Sequence, residues 1–324
     1  MALNKIDKRV VALVGGVGGA KMAHGLAQIL PPEHLTVIVN TGDDFWHYGL
    51  RICPDLDTVM YTLSGLVDKT NGWGVGGDTT TTLAALTRYG EQPWFRLGDQ
   101  DMATHLLRSE GLRRGESLTQ VMARLTKNLG IAHPVLPMTD AEVPTMIDTV
   151  EYGELEFQVY FVKHRWQPTV KGVRYANIEQ ATVTAEVREA IEAADMVLFA
   201  PSNPWLSVAP ILNVPGMRSL LLARDIPRVA VSPIVGGQAI KGPAAKIMAE
   251  LGYDDISART VAAFYADVIN GFVYDARDAD LRLEVSLGGV RTVTFDTVMT
   301  TEAHRARLAT EILEWVEKEW VGVT

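Results

Sequence analysis

The chain has 324 residues, 47% of them hydrophobic and 21% charged, an ordinary globular composition with ample length for a large core. A formal net charge of -9 and a pI near 5.3 exclude a nucleic-acid binder working by bulk electrostatics. The single cysteine, Cys53, excludes an intrachain disulfide and a cysteine-cluster metal site, and points to the cytoplasm.

No apolar run approaches the ~20 residues of a membrane span, and the opening MALNKIDKRV lacks the apolar segment of a signal peptide. No repeat, low-complexity tract or linker marks a boundary between independent domains. One domain over 1–324 is expected, with its core at about 8–100 and 177–324 and an inserted lobe at about 101–176.

The first element is an apolar run at 10–14, followed by VGGVGGAK and a helix-patterned segment in which Met22 and Leu26 stand four apart. A P-loop is ruled out, because Ala20 and Met22 flank Lys21 and the magnesium-binding hydroxyl is missing. A dinucleotide fingerprint fares little better: Lys21 follows Gly16-x-Gly18 where a third glycine belongs, and the second strand ends at Asn40 rather than at a ribose-binding acid. Generic physics remains. Gly15, Gly16, Gly18 and Gly19 allow close backbone approach, the following helix offers its positive end to an anion, and Lys21 can add charge. The competing explanation is glycine used only for packing.

A second run at 35–39 leads into VNTGDDFWHYGLRICPDLDTVMY, where Asp43, Asp44, Asp55 and Asp57 fall within 15 positions. Clustered carboxylates beside an anion site suit Mg²⁺-assisted phosphoryl chemistry, and one of them can take a proton from an attacking hydroxyl. Each taken singly reads equally well as a turn or helix cap. Next, FRLGDQDMATHLLRS places Asp99, Asp101 and His105 near Arg96 and Arg108. Asp101 and His105 share a helix face, more often a local hydrogen bond than a metal site.

The middle third changes texture. Val121, Leu125 and Leu129 have helical spacing, whereas 144–175 reads as short antiparallel strands. Apolar runs then return at 196–200 and 228–231. The first is followed by Ser202, Asn203 and Pro204 at a helix start, the second by Gly236, Gly237 and Lys241. Runs that are apolar throughout suit strands covered on both faces. The fold class expected is α/β: a Rossmann-like, doubly wound, mainly parallel sheet with an inserted helical and antiparallel lobe. Three glycine or polar turns on one sheet edge point to an extended phosphorylated ligand, a nucleotide.

GGVGGAK, VNTGDD, CPDLDTVMYTL, LGDQDMATH, LPMTD, APSNPWLSVAPIL with NVPGMR, and SPIVGGQAIKGPAAK together resemble, in the same order, the 2-phospho-L-lactate transferase family of coenzyme F-420 biosynthesis, known as CofD and FbiA. The resemblance runs from about Val10 to at least Asp275, and GGVGGAK in place of GGTGTPK looks like the bacterial branch. It implies transfer of a phospholactyl-type group from a guanylylated donor, lactyl-2-diphospho-5'-guanosine or its enolpyruvyl analogue, to the 5'-hydroxyl of the deazaflavin FO, with release of GMP. It further implies Mg²⁺ held among Asp43, Asp44 and Asp55, catalytic roles among Asp44, Asp55 and Asp57, FO contacts at Asp57 and Arg96, and a cytoplasmic homodimer with small-molecule partners. Gly15, Gly16, Gly18, Gly19, Lys21, Ser202, Asn203, Gly236, Gly237 and Lys241 would hold guanosine and phosphates. Arg96 departs from the lysine or glycine of the family pattern. His105 is expected to be structural, and Trp46, Trp73 and Trp94 are candidates to stack on a deazaflavin ring.

Two other classes compete. YvcK-like gluconeogenesis factors share the fold and the glycine turn and bind nucleotide sugars as regulators, but CPDLDTVMYTL and LGDQDMATH look specific to the transferases. A nicotinamide oxidoreductase would need the third glycine and the ribose acid that are missing.

Overall fold

The run Val10–Val14 forms strand β1 of the computed structural model, which describes residues 8–239, 244–283 and 289–321. All five residues of β1 are buried, because helices cover both faces of its sheet. Val10, Ala12 and Val14 enter one core, Val11 and Leu13 the other, as the two-residue period of a strand requires. Strand β2, Leu35–Val39, pairs with β1 in parallel, Val10 opposite Leu35.

Seven strands of the described residues make an all-parallel main sheet. Their order is Arg291–Phe295, Gly271–Asp275, Arg228–Val231, Met196–Phe199, β1, β2, Val135–Pro137. The chain winds outward from β1 to Val135–Pro137, then returns to the other side of β1. The doubly wound expectation therefore holds, with the reversal between β1 and Met196–Phe199.

Helices α1, Gly16–Ile29, and α2, Pro54–Leu63, pack on one face with Leu118–Asn128 and the C-terminal helix Glu302–Val321. Ala185–Ala193, Met217–Leu222 and Ala258–Phe264 cover the other face. Gly25 sets how closely α1 and the C-terminal helix approach, since a Cβ there would stand 2.3 Å from the carbonyl oxygen of Arg305. Backbone cannot swing aside as a side chain can. Gly25→Ala is expected to lower stability by roughly 1–3 kcal/mol in urea denaturation.

The segment expected as one lobe, 101–176, divides. Leu118, Val121, Met122 and Leu125 belong to the main core, and Val135–Pro137 extends the main sheet, a strand too short to register as an apolar run. Only the later part stands apart, as a three-stranded antiparallel sheet with Thr145–Thr149 between Gly153–Glu156 and Val170–Tyr175. Its small core of Ile147, Phe157, Tyr160 and Val170 leans on Leu206 and Ile247 of the main body.

Candidate active site

In a parallel sheet the crevice for a ligand opens where the winding reverses. Here Gly15 follows β1 and Ser202 follows Met196–Phe199, and the two loops are tied together. The Ser202 hydroxyl donates to the Gly15 carbonyl at 2.6 Å and accepts from the Gly15 amide at 3.2 Å. Helix α1 begins at once, at Gly16 with φ +60°. Cβ atoms at Gly15, Gly18 and Gly19 would lie 2.4 Å from Ser207 Cβ, 2.3 Å from the Pro201 carbonyl oxygen and 2.7 Å from Ser202 Oγ. The glycines thus let the first turn of α1 lie against the 201–207 segment; packing and a ligand-facing helix end coexist in one turn.

The remaining phosphate candidates are placed differently. Ser202 is committed to Gly15, and Asn203 caps the next helical segment, its side-chain oxygen accepting from the amides of Trp205 at 3.0 Å and Leu206 at 3.1 Å. Because α1 starts at Gly16, Lys21 already lies in its second turn and lines a cavity on the outer side of the helix. The Gly236 and Gly237 amides meet the chain's own Asp278 carboxylate, at 2.9 and 3.2 Å. Lys241 lies outside the described residues.

The acidic segment is not a plain loop. Phe45–His47 and Leu50–Ile52 form a hairpin closed by Tyr48 and Gly49, at φ 49° and 74°. Folding back, it brings Asp43 and Asp44 beside Asp55 and Asp57 in the first turn of α2. All four carboxylates are buried. Asn40, at the end of β2, joins two of them. Its amide donates to Asp55 Oδ2 at 2.9 Å and Asp43 Oδ1 at 3.2 Å, while its oxygen accepts from the Gly42 amide at 2.8 Å.

The four carboxylates then part company electrostatically. Burial pushes the Asp55 carboxyl up to about 6, against hydrogen bonds from Asn40 and the Gly16 backbone. Burial and the nearby Asp55 charge push Asp43 well above the carboxylate range. Asp44 rises to about 7, burial outweighing Arg51, whose Nη2 stands 3.6 Å away. Apart from the weak Cys53 thiol donor, neither Asp44 oxygen has a hydrogen-bond partner among the described residues. Asp57 instead meets an arginine. Arg108, fully buried, grips both its oxygens, donates to the Arg51 carbonyl at 3.2 Å, and is itself held charged by Asp57 despite burial.

His105 sits behind this pair, Nδ1 3.6 Å from Asp57 Oδ2 and Nε2 3.2 Å from Asp101 Oδ1, and Tyr61 donates to Asp101 at 2.6 Å. Asp57, Asp101 and His105 are the one trio among the described residues whose ligand atoms could reach a common ion, but Arg108 already supplies their positive charge. Asp43, Asp44 and Asp55 do not form such a trio. They resolve into a close pair, Asp43 and Asp55, and a separate Asp44, because Asn40 draws only two of them together. That pair fits a hard divalent cation completed by substrate oxygens: two buried, mutually repelling carboxylates with one neutral amide between them.

The family comparison decides what kind of protein carries this arrangement: residues 10–312 match the family described as 2-phospho-L-lactate transferase CofD. The chain belongs to the CofD family. It is 39% identical over 305 residues to the 2-phospho-L-lactate transferase of Methanosarcina mazei, covering 94% of this chain and 99% of that one. It is 38% identical over 314 residues to the phosphoenolpyruvate transferase of Streptomyces griseus, covering 96% and 99%. The solved structure of a UPF0052-family protein from Bacillus halodurans superposes with a TM-score of 0.60 at 16% identity, covering 94% of this chain and 98% of that one; that likeness is one of fold.

Within the CofD-family chain, the LGD segment is clasped. Asp78 accepts from the amides of Gln100 at 2.8 Å and Asp101 at 2.9 Å, and Asp99 accepts from those of Thr81 and Thr82, both at 2.9 Å. A hydrogen bond from the Thr79 hydroxyl, with those from the Thr82 and Thr81 amides, holds Asp99 well below the usual carboxylate range. A Cβ at Gly98 would lie 1.9 Å from Asp78 Oδ2, so the glycine is what lets the clasp close. Arg96 stands exposed at its edge with no hydrogen bond or ion pair among the described residues. Trp94 packs into a cluster with Phe45, His47 and Phe95. Trp46 and Trp73 are 45% and 44% exposed, Trp46 donating to Glu142, which leaves these two rings available to a ligand. Sequence reasoning passed over Asn40 and Arg51 as site residues, although both stand inside the quoted acidic segment, and saw Arg108 only as a neighbour.

The raised carboxyls set a pH slope. Unfolded, Asp44 and Asp55 ionise near 3.8; folded, near 7 and 6. Between those values the folded state binds more protons, so their contribution is intact below the unfolded value and is lost as pH rises through the folded ones. Without added cation, stability is expected to fall by a few kcal/mol from about pH 4 to about pH 8, and Asp44→Asn should flatten the slope in denaturant titrations.

Proposed function

We propose that this CofD-family chain transfers a phospholactyl-type group, 2-phospho-L-lactate or phosphoenolpyruvate, from a guanylylated donor to the deazaflavin FO in coenzyme F-420 biosynthesis. The observation that carries the reading is the Asp43–Asp55 pair beside the first turn of α1 at the winding reversal. The relatives in Methanosarcina mazei and Streptomyces griseus supply the two candidate donors by their names.

In this reading the FO 5'-hydroxyl attacks the donor phosphorus nearer the lactyl or enolpyruvyl group, and the bond from that phosphorus to the GMP oxygen breaks. Asp43 and Asp55 would hold Mg²⁺, which when bound neutralises charge on the phosphate oxygens. Amides of the first turn of α1, preceded by Gly15 and carrying no acidic residue, face the donor phosphates. Asp44, whose oxygens meet only the weak Cys53 thiol donor and whose pKa is about 7, takes the proton of the attacking hydroxyl. Asp57, held in place by Arg108, accepts a hydrogen bond from FO, and Arg96 reaches FO from the rim. The same reading carries a homodimer in the cytoplasm acting on small molecules, without nucleic acid or membrane. No helix among the described residues is long and apolar enough to cross a membrane.

Mass spectrometry of the purified protein with FO, Mg²⁺ and each donor in turn tests the proposal. A phospho-acyl adduct of FO and free GMP, both dependent on Mg²⁺, are expected with one donor at least. Absence of any adduct from a folded protein, together with tight binding of a nucleotide sugar, would replace the transferase with a YvcK-like regulator.

A further inference from the structure

A cavity of about 270 Å³ lies on the outer side of the helical layer, away from the acidic cluster. It is walled by α1, the end of α2 with the 65–72 segment that follows it, and the start of the C-terminal helix. Thr62 on its wall is seven residues along α2 from Asp55, about 10 Å of helical rise from the proposed reaction centre.

We propose that this cavity binds a small phosphate-type anion. Lys21, His24, Lys69 and Arg305 converge on it, and the amino end of the C-terminal helix, from Thr300 to Glu302, adds the positive end of a long helix. Its two acids are already engaged. Glu302 pairs with Lys69 at 3.5 Å, and the Asp68 carboxylate accepts from the amides of Thr70 at 2.9 Å and Asn71 at 2.8 Å. Arg305 is different. Half-buried, it makes no ion pair within 4.0 Å among the described residues, and its Nε is buried with no hydrogen-bond partner. Removal from water disfavours the charged form of Arg305, and burial together with Arg305 does the same at His24. Glu302 offsets this at Arg305 only from beyond ion-pair distance, and a tetrahedral oxyanion supplies the hydrogen-bond acceptor that the buried Nε lacks. The cavity's size admits inorganic phosphate or the terminal phosphate of a metabolite.

The probe is inorganic phosphate, titrated calorimetrically at constant ionic strength into the full chain and into Arg305→Met, with the imidazole resonances of His24 followed in parallel and assigned by His24→Gln. Binding about tenfold weaker in Arg305→Met, with His24 resonances moving in the wild type, is expected. Equal affinity in both proteins with His24 unmoved would place phosphate only at the glycine turn and overturn the proposal. Should Arg305→Met fail to fold, the His24 resonances in the wild type decide alone: no shift at saturating phosphate rejects the site.

Discussion

Replacing Arg108 with Met is expected to cost roughly 3–5 kcal/mol of folding stability, a fall in denaturation midpoint that a surface arginine would not produce. Arg108 has no exposed surface, and its guanidinium holds Asp57 by two hydrogen bonds and the Arg51 backbone by a third. Its removal leaves the Asp57 carboxylate, 5% exposed, with His105 at 3.6 Å as its one ion-pair partner among the described residues. The loss comes less from a missing attraction than from a charge left in a low-dielectric interior. The double variant Arg108→Met with Asp57→Asn should therefore recover much of the stability, because it removes both charges together. A single variant as stable as the wild type would mean that water reaches Asp57, and the buried ion pair would lose its importance.

Asp55→Asn should produce the opposite pairing of effects. If Asp43 and Asp55 hold Mg²⁺ as proposed, turnover is expected to drop by roughly 10³-fold or more, since the cation would lose one of its two protein carboxylates. Stability above about pH 6 should rise, by up to a few kcal/mol. The sign follows from the direction of the shift. Burial raises the Asp55 pKa from 3.8 to about 6, so at neutral pH the folded chain carries a charge that it would rather not carry. Asparagine removes that charge and its repulsion of Asp43 while keeping the size of the side chain. Enzyme assays and urea titrations on one preparation separate the two effects. A variant that loses stability as well as turnover would show that Asp55 acts as a structural hydrogen-bond acceptor for Asn40 and Gly16.

Four of the seven strands of the main sheet, β1, β2, Met196–Phe199 and Arg228–Val231, were legible because they are mostly apolar, the mark of strands buried on both faces, whereas Gly271–Asp275 and Arg291–Phe295 were not read. Val135–Pro137 was hidden by its three-residue length, and the hairpin at Phe45–Ile52 by a Tyr-Gly turn that lacks the usual asparagine or aspartate signal. In the site, the four aspartates could be read as a cluster from spacing alone. Their division could not. Whether a carboxylate meets Arg108, Arg51 or only Asn40 depends on residues 3 to 51 positions away in sequence, and spacing alone does not say which partner each one meets. The glycine turn shows the same limit in reverse: Gly18 and Gly19 answer to Pro201 and Ser202, which no local pattern announces.

The contact of Gly25 with Arg305 has a consequence for how the chain matures on the ribosome. Met22 and Leu26 of α1 share their core with Leu308, Ile312 and Val316, so α1 waits for a segment translated far later than itself. Until residues 302–321 emerge, that apolar flank stays bare and open to chaperones or to other nascent chains. Emergence of 302–321, rather than local helix formation, becomes the event that allows the central layer to close.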